Sequence, residues 1–413
     1  MKTKNKKFCL NVGFLFKRLC CVVILCLLLF APACSENKED DPIEGVPQIN
    51  WENVPFEISS GVNISCWISQ TNVLGKDRPT IEKKQAAYFL KKDVRKLADM
   101  GFDHIRLPVD ESELFSEDGS WNKEVRQYIH DAIAWCSECN LRVILDFHIL
   151  RSHYFNDTEN MTLWKDTKEQ DKFVAMWKKI VGEYGQYPIG LLAFELLNEP
   201  VSGDNPDNWN KLYMRVLTEL RKTQPNRLII IDSGDHASIK GLTSLEVPAN
   251  DKNLMLTFHS YTPYLLTHYK ASWLKLKDIE VDVNYPGQLI EQSALDKYAD
   301  NKELYNVLRY YGMDKDINGQ YTTFKVYNQE ILEEGLSVAL QKSRETGLRL
   351  HCGEFGCIDG TEKDIQVAWF NDMVTIFKKY NIAFSVWGYK SNFGIFNENG
   401  TIKDQRIIDA LTK

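Results

Sequence analysis

Leu191-Leu-Ala-Phe-Glu-Leu-Leu-Asn-Glu-Pro200 is an apolar run interrupted by one carboxylate and closed by a polar pair and a proline. Such a run fits a strand buried on both faces, with Asn198 and Glu199 delivered at its carboxyl end and Pro200 stopping it. Strands of that kind belong to parallel sheets, and parallel barrels collect their chemistry at the carboxyl ends of the strands. Working outward, the pattern recurs. His104-Ile-Arg-Leu-Pro-Val109 places Arg106 near a strand end. Leu141 to His148 puts Asp146 and His148 on one face, and Asn253 to Tyr261 does the same for His259 and Tyr261. His351-Cys-Gly-Glu-Phe-Gly356 supplies a second glutamate, Glu354, and the run Ala383 to Trp387 ends on a tryptophan.

Between these runs lie helical patterns. Apolar positions at helical spacing predict helices over 86–100, 122–139, around 173–180, 209–220, 326–344, 365–380 and 405–411. Further strands are expected at 61–67 and 227–231, and the strand that leads to Glu354 is expected over 348–353. Eight strand and helix pairs predict a (β/α)8 TIM barrel, an α/β fold, over residues 51–413. Residues 262–323 break the rhythm with a long, polar, aromatic-rich stretch after the sixth strand. It is expected to be an insertion with its own helix near 304–310. No linker or repeat divides the rest, so one monomeric domain is expected.

The amino terminus has a different character. Six cations and no anion occur in the first 33 residues, followed from Leu19 to Ala33 by an apolar run too short to span a membrane comfortably. This is the pattern of a secretory signal peptide, residues 1–33. Ala31-Pro32-Ala33-Cys34 resembles a bacterial lipoprotein signal, in which the cysteine is acylated, although Ala31 stands where leucine is more usual. The acidic stretch over residues 34–50 resembles the tether of surface-exported lipoproteins. The implied location is the outer membrane or cell surface, with membrane contact only through lipid on Cys34. A soluble secreted enzyme cut at the same bond, or an uncleaved anchor, is the alternative.

Loss of that segment takes the net charge from −7 to −13. An acidic surface argues against nucleic acid or anionic lipid as partner and suits a neutral polymer such as a polysaccharide. Beyond Cys34, the cysteines are Cys66, Cys136, Cys139, Cys352 and Cys357. An odd number is not a disulfide framework. Cys136 and Cys139 fall inside a helical pattern and read as small buried hydrophobes; a bridge between Cys352 and Cys357 is left open.

Two glutamates at the ends of the fourth and seventh strands face each other across a barrel mouth, which is the arrangement glycoside hydrolysis uses. A nearby guanidinium and a tyrosine hydroxyl would keep Glu354 ionised, and the charge of Glu354 would raise the pKa of Glu199. Asn198 is placed to bind the hydroxyl beside the reacting carbon, and Trp387 offers a flat face for a pyranose.

With these residues the chain resembles glycoside hydrolase family 5, the cellulase-type retaining glycosidases, over nearly all of 51–413. The match rests on Arg106, His148, Asn198, Glu199, His259, Tyr261, Glu354 and Trp387. The resemblance implies Glu199 as acid/base and Glu354 as nucleophile. Arg106 and Tyr261 would then set the nucleophile, His259 would lie near the acid/base, and His148, Asn198 and Trp387 would hold the −1 sugar. Ile149 departs from the family, where a second histidine is common. Glu195 reads as structural, and Trp67, Trp164 and Trp273 are candidates for further subsites.

The expected activity is retaining endo-hydrolysis of β-1,4-linked glucan. A β-mannanase, an exo-acting β-glucosidase and a non-catalytic surface glycan-binding lipoprotein are the alternatives. No metal is expected, since HExxH, HxH and paired CxxC patterns are missing, and no Gly-rich phosphate loop or other cofactor motif occurs.

Overall fold

Eight short parallel strands close on themselves: β1 (Ser60–Asn63), β2 (His104–Val109), β3 (Arg142–Phe147), β4 (Leu192–Glu195), β5 (Ile229–Asp232), β6 (Leu254–His259), β7 (Leu350–Phe355) and β8 (Ala383–Val386). Each pairs with its sequence neighbours, and β8 returns to β1. The computed structural model describes residues 49–413 except Asp204. The signal segment, Cys34 and most of the tether therefore lie outside the described residues. Helices α1 (Arg78–Tyr88), α2 (Lys91–Asp99), α3 (Lys123–Glu138), α4 (Thr167–Tyr184), α5 (Asp207–Arg221), α6 (Ser337–Thr346), α7 (Lys363–Lys379) and α8 (Gln405–Thr412) accompany the strands, so the fold is a (β/α)8 TIM barrel.

The barrel interior changes character in layers, because strand residues two apart share a face. Ile58, Ile144, Ala193, Ile230, Met255 and Ala383 form an apolar plug at the amino end. One step further along the strands stand Asp146, Glu195, Asp232, Thr257 and Ser385, all fully buried. A further step brings His148, His259 and Trp387 to the mouth. Closure is tight at the bottom of β1, where a Cβ on Gly61 would lie 2.3 Å from the His104 ring.

Several boundaries differ from the sequence reading. The expected helix over 86–100 is two helices, separated at Phe89 and Leu90, because the Asp93 carboxylate accepts from Leu90 N–H and starts a new helix there. The helix expected over 326–344 begins as strand at Val326–Tyr327. It then forms Gln329–Gly335, capped by Asn328, and α6, with the break beside Gly335. The ladder of β4 stops at Glu195 rather than Asn198, and β1 stops at Asn63 rather than Trp67.

The insertion after the sixth strand is present, and it is more organised than a loop. It holds a helix at Lys302–Gly312 and two small antiparallel pairs, Gly287–Gln288 with Val326–Tyr327 and Met313–Lys315 with Tyr321–Phe324. All five cysteines among the described residues are free and buried. The bridge left open between Cys352 and Cys357 does not form: the two thiols donate to different carbonyls, Cys352 to Glu354 and Cys357 to Leu266.

Candidate active site

Arg106 is the hub. Its guanidinium is fully buried and donates through Nε and Nη2 to both oxygens of Glu195 (2.9 and 2.6 Å), through Nη1 to Asn63 (2.9 Å) and Glu354 (3.0 Å), and through Nη2 to Asn198 Oδ1 (2.8 Å). Asp146 Oδ2 lies 3.0 Å from the same Nη2. A cation taken wholly out of water persists only with such company. The fork geometry explains why this position carries arginine rather than lysine. Burial opposes its charge, but Asp146, Glu195 and Glu354 hold its pKa well above the ordinary arginine value.

Glu354 sits where β7 departs from regular register, and its carboxylate takes a second hydrogen bond from the Tyr261 hydroxyl at 2.9 Å. Burial and the charge of Glu354 push the Tyr261 phenol pKa well up, so it remains a donor. Glu199 lies past the end of β4 in a left-handed conformation (φ 45°), with its N–H donated to Asp232 Oδ2 at 3.0 Å. Its Oε1 is 2.7 Å from His259 Nδ1, and the same nitrogen is 3.7 Å from Glu354 Oε2. One oxygen of each glutamate and a nitrogen of His259 all lie within 4.8 Å of one another.

Burial pushes the Glu199 carboxyl up to about 7 and the His259 imidazole down to about 4. The sequence reading assigned the rise of Glu199 to Glu354. Desolvation dominates instead, and Asp146 is the carboxylate that adds to it. Between about pH 4 and pH 7 a protonated Glu199 thus faces a neutral imidazole. In that state the 2.7 Å contact between Oε1 and Nδ1 accommodates the carboxyl proton; Nε2 has no hydrogen-bond partner and lies 3.9 Å from Asp232 Oδ2.

His148 is bonded to Asp146 (2.7 Å) and stacked parallel to Trp387, with ring centroids 5.7 Å apart and planes at 8°. Its side chain is 1% exposed, so its first contact is with the tryptophan it supports. Burial lowers its pKa to about 3. Asn198 Oδ1 is held by Arg106, while its Nδ2 has no partner and remains available as a donor.

All eight site residues named from sequence therefore converge on one mouth. Glu195 lies below them as the bidentate partner of Arg106. Of the three tryptophans considered for further subsites, Trp67 is core, 1% exposed and bonded to the Gln85 carbonyl. Trp164 is half-buried against His153, and Trp273 is exposed.

The sequence reading missed Asn63, which clamps Arg106 to the β7 and β8 backbones, and Gln70, 3.3 Å from His148 Nε2. It also missed Asp232, whose raised pKa comes from burial and from its neighbour Glu195. Asn63 ends β1 and Asp232 ends β5, whereas the sequence reading carried the first strand on to Trp67 and stopped the fifth at Ile231, and so passed over both. Two trios, Glu195, Asp232, His259 and Glu199, His259, Glu354, have cation-ligating atoms within 4.8 Å. In both, one carboxylate is already ion-paired with Arg106.

Comparisons with known proteins bear on the family and the fold. The family model described as cellulase (glycosyl hydrolase family 5) matches residues 79–393. The chain is 29% identical over 358 residues to endoglucanase C of Acetivibrio thermocellus, covering 86% of this chain and 98% of that protein. It is 26% identical to cellodextrinase A of Ruminococcus flavefaciens, with 86% and 94% covered. Among solved structures, Thermotoga maritima Cel5A in complex with cellobiose shares the fold, with a TM-score of 0.65 at 22% identity over 87% of this chain and 100% of that one. The chain is a glycoside hydrolase and belongs to the cellulase family, glycosyl hydrolase family 5.

Proposed function

We propose that this enzyme is a retaining endo-β-1,4-glucanase, with Glu354 as nucleophile and Glu199 as acid/base. The observation that carries the reading is the short separation of the two carboxyl groups, whose near oxygens lie within 4.8 Å. Retaining glycosidases hold their carboxyl groups about 5–5.5 Å apart, whereas inverting ones need about 6.5–9.5 Å to admit a water.

In the first step a Glu354 oxygen bonds to the anomeric carbon while the bond from that carbon to the glycosidic oxygen breaks. Glu199 gives its proton to the departing oxygen. Arg106 and Tyr261 both donate to Glu354, contacts that suit an ionised carboxylate. Having lost its proton, Glu199 takes one from water in the second step. The hydroxyl bonds to the anomeric carbon, the ester bond to Glu354 breaks, and both glutamates return to their starting states. The free Nδ2 of Asn198 is positioned to donate to the neighbouring sugar hydroxyl as positive charge grows on the ring.

The glucan reading is supported by endoglucanase C of Acetivibrio thermocellus and cellodextrinase A of Ruminococcus flavefaciens, which match most of this chain. We also propose, from residues 1–50 alone, that Cys34 carries lipid and tethers the enzyme at the cell surface. Product analysis on soluble β-glucans, xyloglucan and β-mannan, with Glu354→Ala as control, tests the activity. A ladder of oligosaccharides from β-1,4-glucan supports it. A ladder from β-mannan alone, or monosaccharide release only, contradicts it.

A further inference from the structure

Glu199 stands on a turn that its backbone does not favour by itself. A φ of 45° puts a residue with a side chain in the left-handed region, a conformation that persists only where the surroundings over-determine it. Here three successive residues of the turn are held by their backbone groups. The Glu199 N–H reaches Asp232, the Pro200 carbonyl accepts from the His236 N–H at 3.4 Å, and the Val201 N–H donates to His153 Nε2 at 3.0 Å.

His153 does this in an unusual way. The residue is 1% exposed, and burial pushes its imidazole down to about 3, so the ring stays neutral well into the acid range. A backbone N–H can only donate, so Nε2 is the acceptor and the ring's hydrogen is on Nδ1. That Nδ1 has no hydrogen-bond partner among the described residues. A buried imidazole with one nitrogen unpaired fills space less favourably than an apolar side chain of similar size. What it adds over such a side chain is the acceptor for Val201.

The support is itself anchored. His153 and Leu150 exchange both backbone hydrogen bonds (3.0 and 3.2 Å) in a tight turn beyond β3, and the neighbouring Ser152 carbonyl accepts from Thr162 and Leu163. The imidazole lies edge-on to Trp164, with ring centroids 5.7 Å apart. His236, left-handed like its neighbours Asp235 and Ala237, also sets its Nε2 3.3 Å from the Phe155 carbonyl. The connections after β3, β4 and β5 therefore meet at the Pro200–Val201 peptide, which is gripped at both its carbonyl and its N–H.

Building on the reading of Glu199 as acid/base, we infer that His153 is a positioning residue for the proton donor: by accepting the Val201 N–H, it holds the strained turn that aims the Glu199 carboxyl at the glycosidic oxygen. A donor displaced by about 1 Å can lose on the order of 10²-fold in rate.

The test uses the full-length enzyme and two substrates. Cellotetraose has a departing sugar that needs a proton, whereas the phenolate of 2,4-dinitrophenyl β-cellobioside departs without one. His153→Met and His153→Gln give side chains of similar shape, and only glutamine offers an oxygen to the Val201 N–H. His153→Met is expected to lose roughly 10–100-fold more kcat/KM on cellotetraose than on the dinitrophenyl glycoside. His153→Gln is expected to stay near wild type on both. His153→Phe, which keeps a flat ring against Trp164, is expected to follow methionine and takes its place if that variant does not fold. Equal losses on both substrates, or a glutamine variant as impaired as the apolar ones, would overturn the inference. Glu199→Gln on the same pair tests the underlying reading separately. It should lose far more on cellotetraose than on the dinitrophenyl glycoside, and equal losses there would overturn the acid/base assignment itself, whatever the His153 variants do.

Discussion

Replacing Glu199 by glutamine should make the protein more stable at alkaline pH while removing the proposed acid/base. Burial raises this carboxyl from the ordinary 4.5 to about 7. Below about pH 4.5 the group is protonated in both the folded and unfolded chains, and its ionisation adds no difference between them. Between the two values the unfolded chain gives up the proton and the folded chain keeps it, so stability falls as pH rises and levels off above about 7. At roughly 1.4 kcal/mol per pH unit, the full loss is about 3.5 kcal/mol. The side chain keeps 15% of its surface open, which makes that figure a ceiling.

Glutamine has no proton to lose and can donate to His259 Nδ1 in place of the acid. Urea unfolding of wild type and Glu199→Gln at pH 4.5 and pH 8 separates the charge effect from any packing change, which appears at both values. The variant should gain on the order of 2–3 kcal/mol on wild type between the two conditions. In the wild type, kcat/KM on a natural glucan should fall with a midpoint near pH 7. In the variant, that alkaline limb should vanish on an activated substrate. An equal stability difference at both pH values would refute the argument that burial keeps Glu199 protonated.

The other predictions follow from the same network. Glu354→Ala should lower kcat by at least ~10³-fold while glycan binding persists, measured by turnover and calorimetry. Arg106→Met leaves Asp146, Glu195 and Glu354 without their cation. It should cost about 3–5 kcal/mol, more at pH 8 than at pH 5 because Asp146, whose carboxyl burial pushes up to about 7, is charged only at the higher pH, as read by chemical denaturation. Burial and the neighbouring Glu195 favour the neutral form of Asp232, so Asp232→Asn should keep most activity while Asp232→Ala, which releases the Glu199 N–H, loses tenfold or more in kcat; equal losses would contradict this. Cys34→Ala should move the enzyme from the membrane fraction to the soluble one, and unchanged sedimentation would place the anchor elsewhere.

The barrel was legible because several strand runs end in, or lead into, a residue type that burial alone would not select. Arg106, Glu199, His259 and Glu354 stand out for that reason. Asn63 and Asp232 obey the same rule, but a polar residue ending a short apolar run is common, and only the closed sheet shows that both face Arg106 or Glu199. The cause of the Glu199 shift was not readable, since desolvation depends on what surrounds the carboxyl in three dimensions. The breaks at Leu90 and Gly335 turned on one capping carboxylate and one glycine, signals that apolar periodicity outweighs. The insertion was visible as lost rhythm, yet its small sheets join residues such as Gln288 and Val326, too far apart in sequence for any local pattern to pair.

Trapping the covalent intermediate tests the central claim most directly. Incubation with a 2-deoxy-2-fluoro-cellobioside carrying an activated leaving group, followed by intact mass and peptide mapping, reports which side chain is glycosylated. The account predicts one fluorocellobiosyl group per chain, on the peptide containing Glu354, with activity lost in step with labelling and no label on Glu354→Gln. Label on another residue, or an unlabelled enzyme that turns over β-glucan with inversion at the anomeric carbon, would contradict it.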